Sequence, residues 1–195
     1  TFLESEVKNP VLRKDLYEKM YKLSPNEATP EERAKGAITK LRYMQFRENQ
    51  SSSSVLGFRI EAIRMSGEQT NTDLKTVKKC SEEDSNGINK NLNKINTRWQ
   101  VKKTMAQFLM GDDLSRTRLI DRLKDMRAKL EKSPFFKHHE VIGSSLLVMY
   151  DADHKASAWM IDFAKTLPVE KKKGLNHRIP WQVGNHEDGY LAGMD

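Results

Sequence analysis

Two short apolar runs separated by a polar break constrain this chain more than any other stretch. Gly143 to Tyr150 carries Leu146, Leu147, Val148 and Met149, Asp151 to His154 is polar, and Ala156 to Phe163 is apolar again. The pattern predicts a β-hairpin with its turn at Asp151–His154. Neither run reaches the roughly 18 residues that a membrane-spanning helix needs, so they are expected to seed a packed interior.

Around the hairpin the sequence reads as helical. Leu12, Leu16, Met20 and Leu23 recur at helical spacing and predict one apolar helix face, with Arg13, Lys14, Lys19 and Lys22 on other faces. Ser24-Pro25-Asn26 should end that helix. Thr29, Pro30 and Glu32 form a capping box for a second helix, expected to run on through Ile38, Leu41 and Met44. The serines Ser51 to Ser54 predict a turn into a strand on which Leu56, Phe58, Ile60 and Ala62 alternate with Gly57, Arg59 and Glu61. Ser66-Gly67-Glu68 suits a turn. The polar segment 69–96, with Asn86-Gly87 inside it, is expected to be a mobile surface loop. Trp99, Met105, Phe108 and Leu109 predict a helix broken at Gly111, and Leu119, Leu123, Met126 and Leu130 predict another that ends at Ser133-Pro134. A last helix is expected at Glu187–Tyr190. The chain has no internal repeats, and this mixture is α+β.

Lys and Arg outnumber Asp and Glu by 34 to 27, a net charge of +7. That excess favours an anionic partner: nucleic acid, an acidic membrane surface or a phosphorylated small molecule. Zinc-finger spacing, RNA-binding aromatic motifs and long basic tails are all missing, which argues against nucleic acid. The single cysteine, Cys80, rules out an internal disulfide and suits a reducing compartment. A chain that starts at Thr1, with no signal peptide, is expected to be processed or a fragment.

Asp162 closes the second apolar run, and Lys165 follows three positions later. A carboxylate at a strand end can hold Mg²⁺ against nucleotide phosphates, and a nearby lysine can hold a phosphorylated substrate. Equally, Asp162 can cap the hairpin while Lys165 is solvated. Lys40, Tyr43 and Arg47 fall on one helix face, either as a phosphate-binding group or as a solvated basic face. His138 and His139 are adjacent on an expected strand and point to opposite faces, a poor arrangement for one metal ion. Met105, Met110 and Met126 read as core filling.

Several motifs, in order along the chain, resemble the inositol 1,4,5-trisphosphate 3-kinases. They are Ser51-Ser52-Ser53-Ser54-Val55-Leu56-Gly57-Phe58-Arg59-Ile60-Glu61, then Phe135-Phe136-Lys137-His138-His139-Glu140-Val141-Ile142-Gly143, then Trp159-Met160-Ile161-Asp162-Phe163, and finally His177-Arg178-Ile179-Pro180-Trp181 with Gly184-Asn185-His186-Glu187-Asp188-Gly189-Tyr190. The resemblance implies a protein-kinase-like C-lobe, here residues 51–195, with the N-lobe absent. It also implies an all-helical inositol-phosphate-binding insert, here residues 1–50. The implied activity is ATP-dependent phosphorylation of inositol 1,4,5-trisphosphate at the 3-hydroxyl, within calcium signalling in the cytoplasm. Asp162 would bind Mg²⁺ and ATP and be catalytic. Arg13, Lys40, Arg42, Tyr43, Arg47, Arg64 and Lys165 would contact the inositol phosphate. Arg64 stands where the family has a lysine, and Ala164 where it has a glycine. Alanine there is similar to the inositol polyphosphate multikinases, whose broader activity is the alternative. The family's Pro-x-x-x-Asp-x-Lys-x-Gly motif has no match in this chain, so the full-length protein is expected to be the enzyme and this piece inactive alone. The basic amphipathic helix Arg13–Leu23 resembles a calmodulin target, and calmodulin regulation is known in the family; alternatively its apolar face packs within the insert. No nucleic-acid partner is implied, and no membrane span.

Overall fold

The computed structural model describes residues 2–64, 92–170 and 174–195. Cys80, both turns expected between Ser66 and Gly87, and most of the expected loop lie outside the described residues.

The N-terminal region packs helices around one apolar cluster. Its elements are α1 (Phe2–Lys8), β1 (Leu12–Arg13), α2 (Lys14–Leu23), α3 (Pro30–Lys35), β2 (Ile38–Thr39) and α4 (Lys40–Asn49). Leu16, Met20, Ala28, Ile38 and Phe46 form the cluster, with Tyr17 and Tyr43 against it. Two expectations change here. First, the basic helix starts at Lys14, because Leu12 and Arg13 are extended and pair antiparallel with Thr39 and Ile38. The region is therefore not all-helical, and Leu12 and Leu23 are exposed while Leu16 and Met20 are buried. Second, the helix that starts at the Thr29 capping box stops at Gly36, which takes the left-handed conformation (φ +57°) and bonds back to Glu32. Thr39 then caps a new helix by accepting the Arg42 N–H at 3.2 Å. The apolar spacing runs through both helices, but glycine relieves the steric cost of the left-handed turn and sets the stop.

The serine run forms a short helix, α5 (Ser53–Leu56), and not a turn into a strand. Ser51 Oγ donates to the Arg47 carbonyl at 2.8 Å and Ser52 Oγ to the Phe58 carbonyl at 2.7 Å. Hydroxyls that satisfy backbone carbonyls in this way compete with ladder formation. Residues 58–64 form no ladder with any described residue, although Ile60 and Ile63 still pack, on Leu92, Ile95 and Val101. Leu92 and Ile95 are buried, so the end of the expected mobile loop is part of a core. Helix α6 (Arg98–Phe108) follows a Thr97–Gln100 capping box; it buries Val101 and Thr104 and leaves Trp99 68% exposed, against expectation. Met105 and Met126 fill cores, whereas Met110 is exposed.

Helix α7 (Asp113–Lys132) buries Leu119 and Met126 and packs on the hairpin formed by β4 (Ser145–Tyr150) and β5 (Ala156–Ile161). The hairpin register runs from Ser145 opposite Ile161 to Tyr150 opposite Ala156. Its tip is tied to the start of α7. Asp112 accepts from the Ser115 N–H at 3.0 Å and the Ser115 hydroxyl at 2.6 Å, and His154 Nδ1 lies 2.7 Å away. The short helix α8 (Pro134–Lys137) leads to β3 (His139–Val141), which pairs antiparallel with β6 (Thr166–Pro168). That second sheet was not legible in the sequence. The expected helix at Glu187–Tyr190 is absent; Glu187 to Gly189 are irregular and lead into a turn at Tyr190, beside a buried polar knot.

At the knot, Asp188 and His177 have side chains 0% and 2% exposed, with His177 Nδ1 2.9 Å from the carboxylate. Asp188 also accepts the Val141 N–H at 2.8 Å and the Tyr190 N–H at 3.0 Å. His177 Nε2 faces the Phe136 carbonyl at 2.8 Å, and its ring stacks on Phe136. Both ring nitrogens of His177 therefore have an oxygen partner. Glu187 accepts the N–H groups of Asn176 and His177.

Changing one member of a buried, fully bonded polar knot leaves buried groups without their partners. Asp188→Asn should therefore destabilise the protein by about 1–3 kcal/mol in urea unfolding. A loss below ~1 kcal/mol would show that the knot contributes little to the fold. The acid side of stability should depend on Asp112, whose carboxyl is held well below the usual range, first by the Ser115 hydroxyl, then by its backbone N–H and by His154. A lowered native pKa stabilises above the unfolded carboxyl value of about 3.9, and that contribution is lost as pH falls below it. The melting-temperature gap between wild type and Asp112→Asn should accordingly shrink from pH 6 down to about pH 2. A gap independent of pH would contradict this.

Candidate functional site

The β1–β2 ladder does more than close the N-terminal region. By pairing Arg13 with Ile38, it brings Arg13 beside the first turn of α4, where Lys40 is the first helical residue. Arg13 and Lys40 line one open pocket of about 360 Å³ with Ser5, Glu6, Asn9 and Val11. Lys40 Nζ lies 3.8 Å from the Glu6 carboxylate, and Arg13 holds Asp15 with Nε at 2.9 Å and Nη2 at 3.1 Å. The α4 N-terminus adds the positive end of a helix dipole to these two cations. Together they make a mouth suited to phosphate.

The other expected contact residues of α4 turn elsewhere. Arg42 reaches back to α3, with Nε 2.8 Å from the Glu32 carboxylate and Nη2 3.1 Å from the Glu27 carbonyl. Tyr43 packs against the apolar cluster. Arg47 is buried: its side chain is 11% exposed and its Nη2 lies 3.5 Å from Glu61, which also holds Arg59. The expected single row of exposed cations is therefore corrected. Lys40 opens to the pocket, while Arg47 is buried beside Glu61. Neither Glu6 nor Glu61 was foreseen as a partner. Both pairings join segments far apart in sequence, and no local spacing signals them.

Asp162 and Lys165 share one turn. Asp162 follows β5 directly and is exposed, with the left-handed backbone (φ +67°) that aspartate tolerates better than most residues. The Thr166 N–H donates to the Phe163 carbonyl at 3.0 Å and closes the turn into β6. The Lys165 ammonium lies over Gly143, 3.4 Å from where a Cβ would stand. The turn thus bridges the two C-terminal sheets. Arg64 is exposed at the end of the 58–64 segment. Among the described residues no group of three His, Cys, Asp or Glu side chains could hold a metal ion. His139 instead stacks on Phe135 and bonds its carbonyl at 2.7 Å.

The family model for inositol polyphosphate kinases matches residues 18–195, and the chain belongs to that family. All of the chain aligns with curated relatives. It is 50% identical to the inositol-trisphosphate 3-kinase homolog of Caenorhabditis elegans, of which it covers 36%. It is 44% identical to inositol-trisphosphate 3-kinase A of Homo sapiens and 46% to inositol-trisphosphate 3-kinase C of Mus musculus, covering 39% and 27% of them. The chain thus spans well under half the length of these relatives.

The two α4 cations should part company on mutation. Lys40→Ala should change stability by no more than about 0.5 kcal/mol, as for an ordinary surface residue. Arg47→Ala removes packing as well as charge and should cost about 1–2 kcal/mol. Equal melting temperatures for the two variants would show that Arg47 is no part of the fold.

Proposed function

We propose that the full-length protein transfers the γ-phosphoryl group of ATP to the 3-hydroxyl of inositol 1,4,5-trisphosphate, giving the 1,3,4,5-tetrakisphosphate. The observation that carries this reading is the pairing of Arg13 and Lys40 at the start of α4, in a chain that belongs to this kinase family. Residues 1–50 act as the inositol-phosphate-binding insert and 51–195 as part of a kinase-like C-lobe. Each substrate phosphate carries roughly −1.5 to −2 charges near neutral pH, so several cations must converge on it. Arg13 and Lys40 hold phosphates at the helix mouth, Arg47 adds charge from beneath, and Arg42 and Tyr43 fix the helix that presents them. Arg64 and Lys165 neutralise phosphate charge nearer the reacting hydroxyl.

Asp162 offers a hard oxygen ligand at a strand end, which fits Mg²⁺, an ion commonly held by one or two carboxylates plus substrate phosphates. When bound there, the ion offsets charge that develops on the transferred group. Lys165, in the same turn, sets its ammonium over Gly143. The oxygen of the inositol 3-hydroxyl bonds to the γ-phosphorus as the bond from that phosphorus to the β,γ-bridging oxygen breaks; ADP leaves, and the hydroxyl proton passes to water.

No described helix is long and apolar enough to cross a membrane. A cytoplasmic setting suits the single cysteine. Calmodulin binding through α2 is not part of the proposal, because Leu16 and Met20 would have to leave the apolar cluster they already fill.

In the full-length protein, Asp162→Asn should lower kcat by at least a hundredfold while inositol trisphosphate binding changes little. Turnover across inositol phosphates, read by phosphate transfer from labelled ATP, tests the substrate. A preference for the bisphosphate or a tetrakisphosphate would move the protein to a multikinase-like role. Near-normal kcat in the variant would make Asp162 structural.

A further inference from the structure

Helix α6 divides into two faces. Val101 and Thr104 are buried, and Met105 packs against the cluster of Leu92, Ile95 and Val101. Arg98, Trp99, Lys102, Lys103 and Ala106 are all exposed. At about 100° per residue these five fall within roughly 140° of the helix circumference. The helix sequence, Arg98 to Phe108, contains no acidic residue, and Lys94 is exposed just upstream. Among the described residues none of Arg98, Lys102 and Lys103 forms an ion pair with a carboxylate. Trp99 is 68% exposed, and the Lys103 ammonium sits 5.3 Å from its ring centroid. An indole left this open contributes little to the core.

We propose that this outward face of α6 docks the protein on an anionic lipid surface of the phosphatidylserine class. The face is convex and positively charged, so its complement is an extended anionic plane. Trp99 supplies an apolar body with a polar N–H, the combination that settles at the level of lipid headgroups. The lysine stems lie along the interface while their ammonium groups meet the phosphates. The opposite face is occupied by the fold, so docking needs no unfolding. Single-stranded nucleic acid also pairs cations with aromatic stacking, but it takes them along a groove, and α6 presents a ridge.

Each cation near such a surface strengthens partitioning about fivefold. The three on α6 together give on the order of a hundredfold over neutral vesicles. The test is co-sedimentation of the full-length protein with phosphatidylcholine vesicles, with and without phosphatidylserine, at about 0.1 M salt. Binding is expected only with the anionic lipid. It should weaken about 25-fold in Lys102→Gln/Lys103→Gln and fall further when Trp99→Ala is added, with kinase turnover on soluble substrate unchanged in each variant. Arg98→Gln alone, about fivefold weaker, provides a milder variant should the double one fold poorly. Equal binding to neutral vesicles, no binding to anionic ones, or binding indifferent to these substitutions would overturn the proposal. So would a single-stranded RNA that binds through the same residues more tightly than the vesicles do.

Discussion

The His177–Asp188 contact holds together the part of the molecule that carries Asp162. Asp188 accepts the Val141 N–H, and Val141 ends β3. Strand β3 is paired only with β6 among the described strands, and β6 begins at Thr166, directly after the turn that holds Asp162 and Lys165. His177 in turn bonds the Phe136 carbonyl and so fixes α8, which feeds β3. Two polar side chains are costly to bury, and here the cost is offset by the hydrogen bonds that surround both of them. Three-residue strands have little pairing energy of their own. Without the knot, the sheet that anchors the Asp162 turn would lack its support on one side.

On the proposed reading, the N-terminal region presents cations toward a ligand. Each expected phosphate-contacting residue of this region that bears a charge has a carboxylate near it: Asp15 for Arg13, Glu6 for Lys40, Glu32 for Arg42 and Glu61 for Arg47. These pairs orient long side chains that would otherwise lose entropy on binding. They also set a threshold, since an arriving anion must out-compete a carboxylate. A phosphate, with more charge and more acceptor oxygens, does so more readily than a carboxylic acid. On the proposed reading, the acidic residues thus favour a highly phosphorylated substrate.

Local signals with a fixed stereochemistry were legible. The Thr29 capping box, the stop at Ser24-Pro25, the break at Gly111 and the hairpin with its Asp162 end all follow from backbone rules that act within a few residues. The motif order also pointed to the family. Periodicity misled where a stronger local signal lay inside it. Gly36 and Thr39 split one apolar pattern into two helices, and the serine run folded into a short helix while the alternating segment after it joined no ladder with any described residue.

The sequence by itself determined the element types near strong caps and turns, the excess of positive charge and the family, because each of these is written in neighbouring residues or in motif order. The tertiary structure alone decided that β3 pairs with β6, that Arg13 meets Lys40 across a two-residue ladder, and that Arg47 is buried against Glu61 while Trp99 is exposed. These outcomes depend on which surfaces meet once the chain is packed. Contacts across tens of residues are selected by burial and by the need to satisfy buried polar groups, and neither is visible in local spacing.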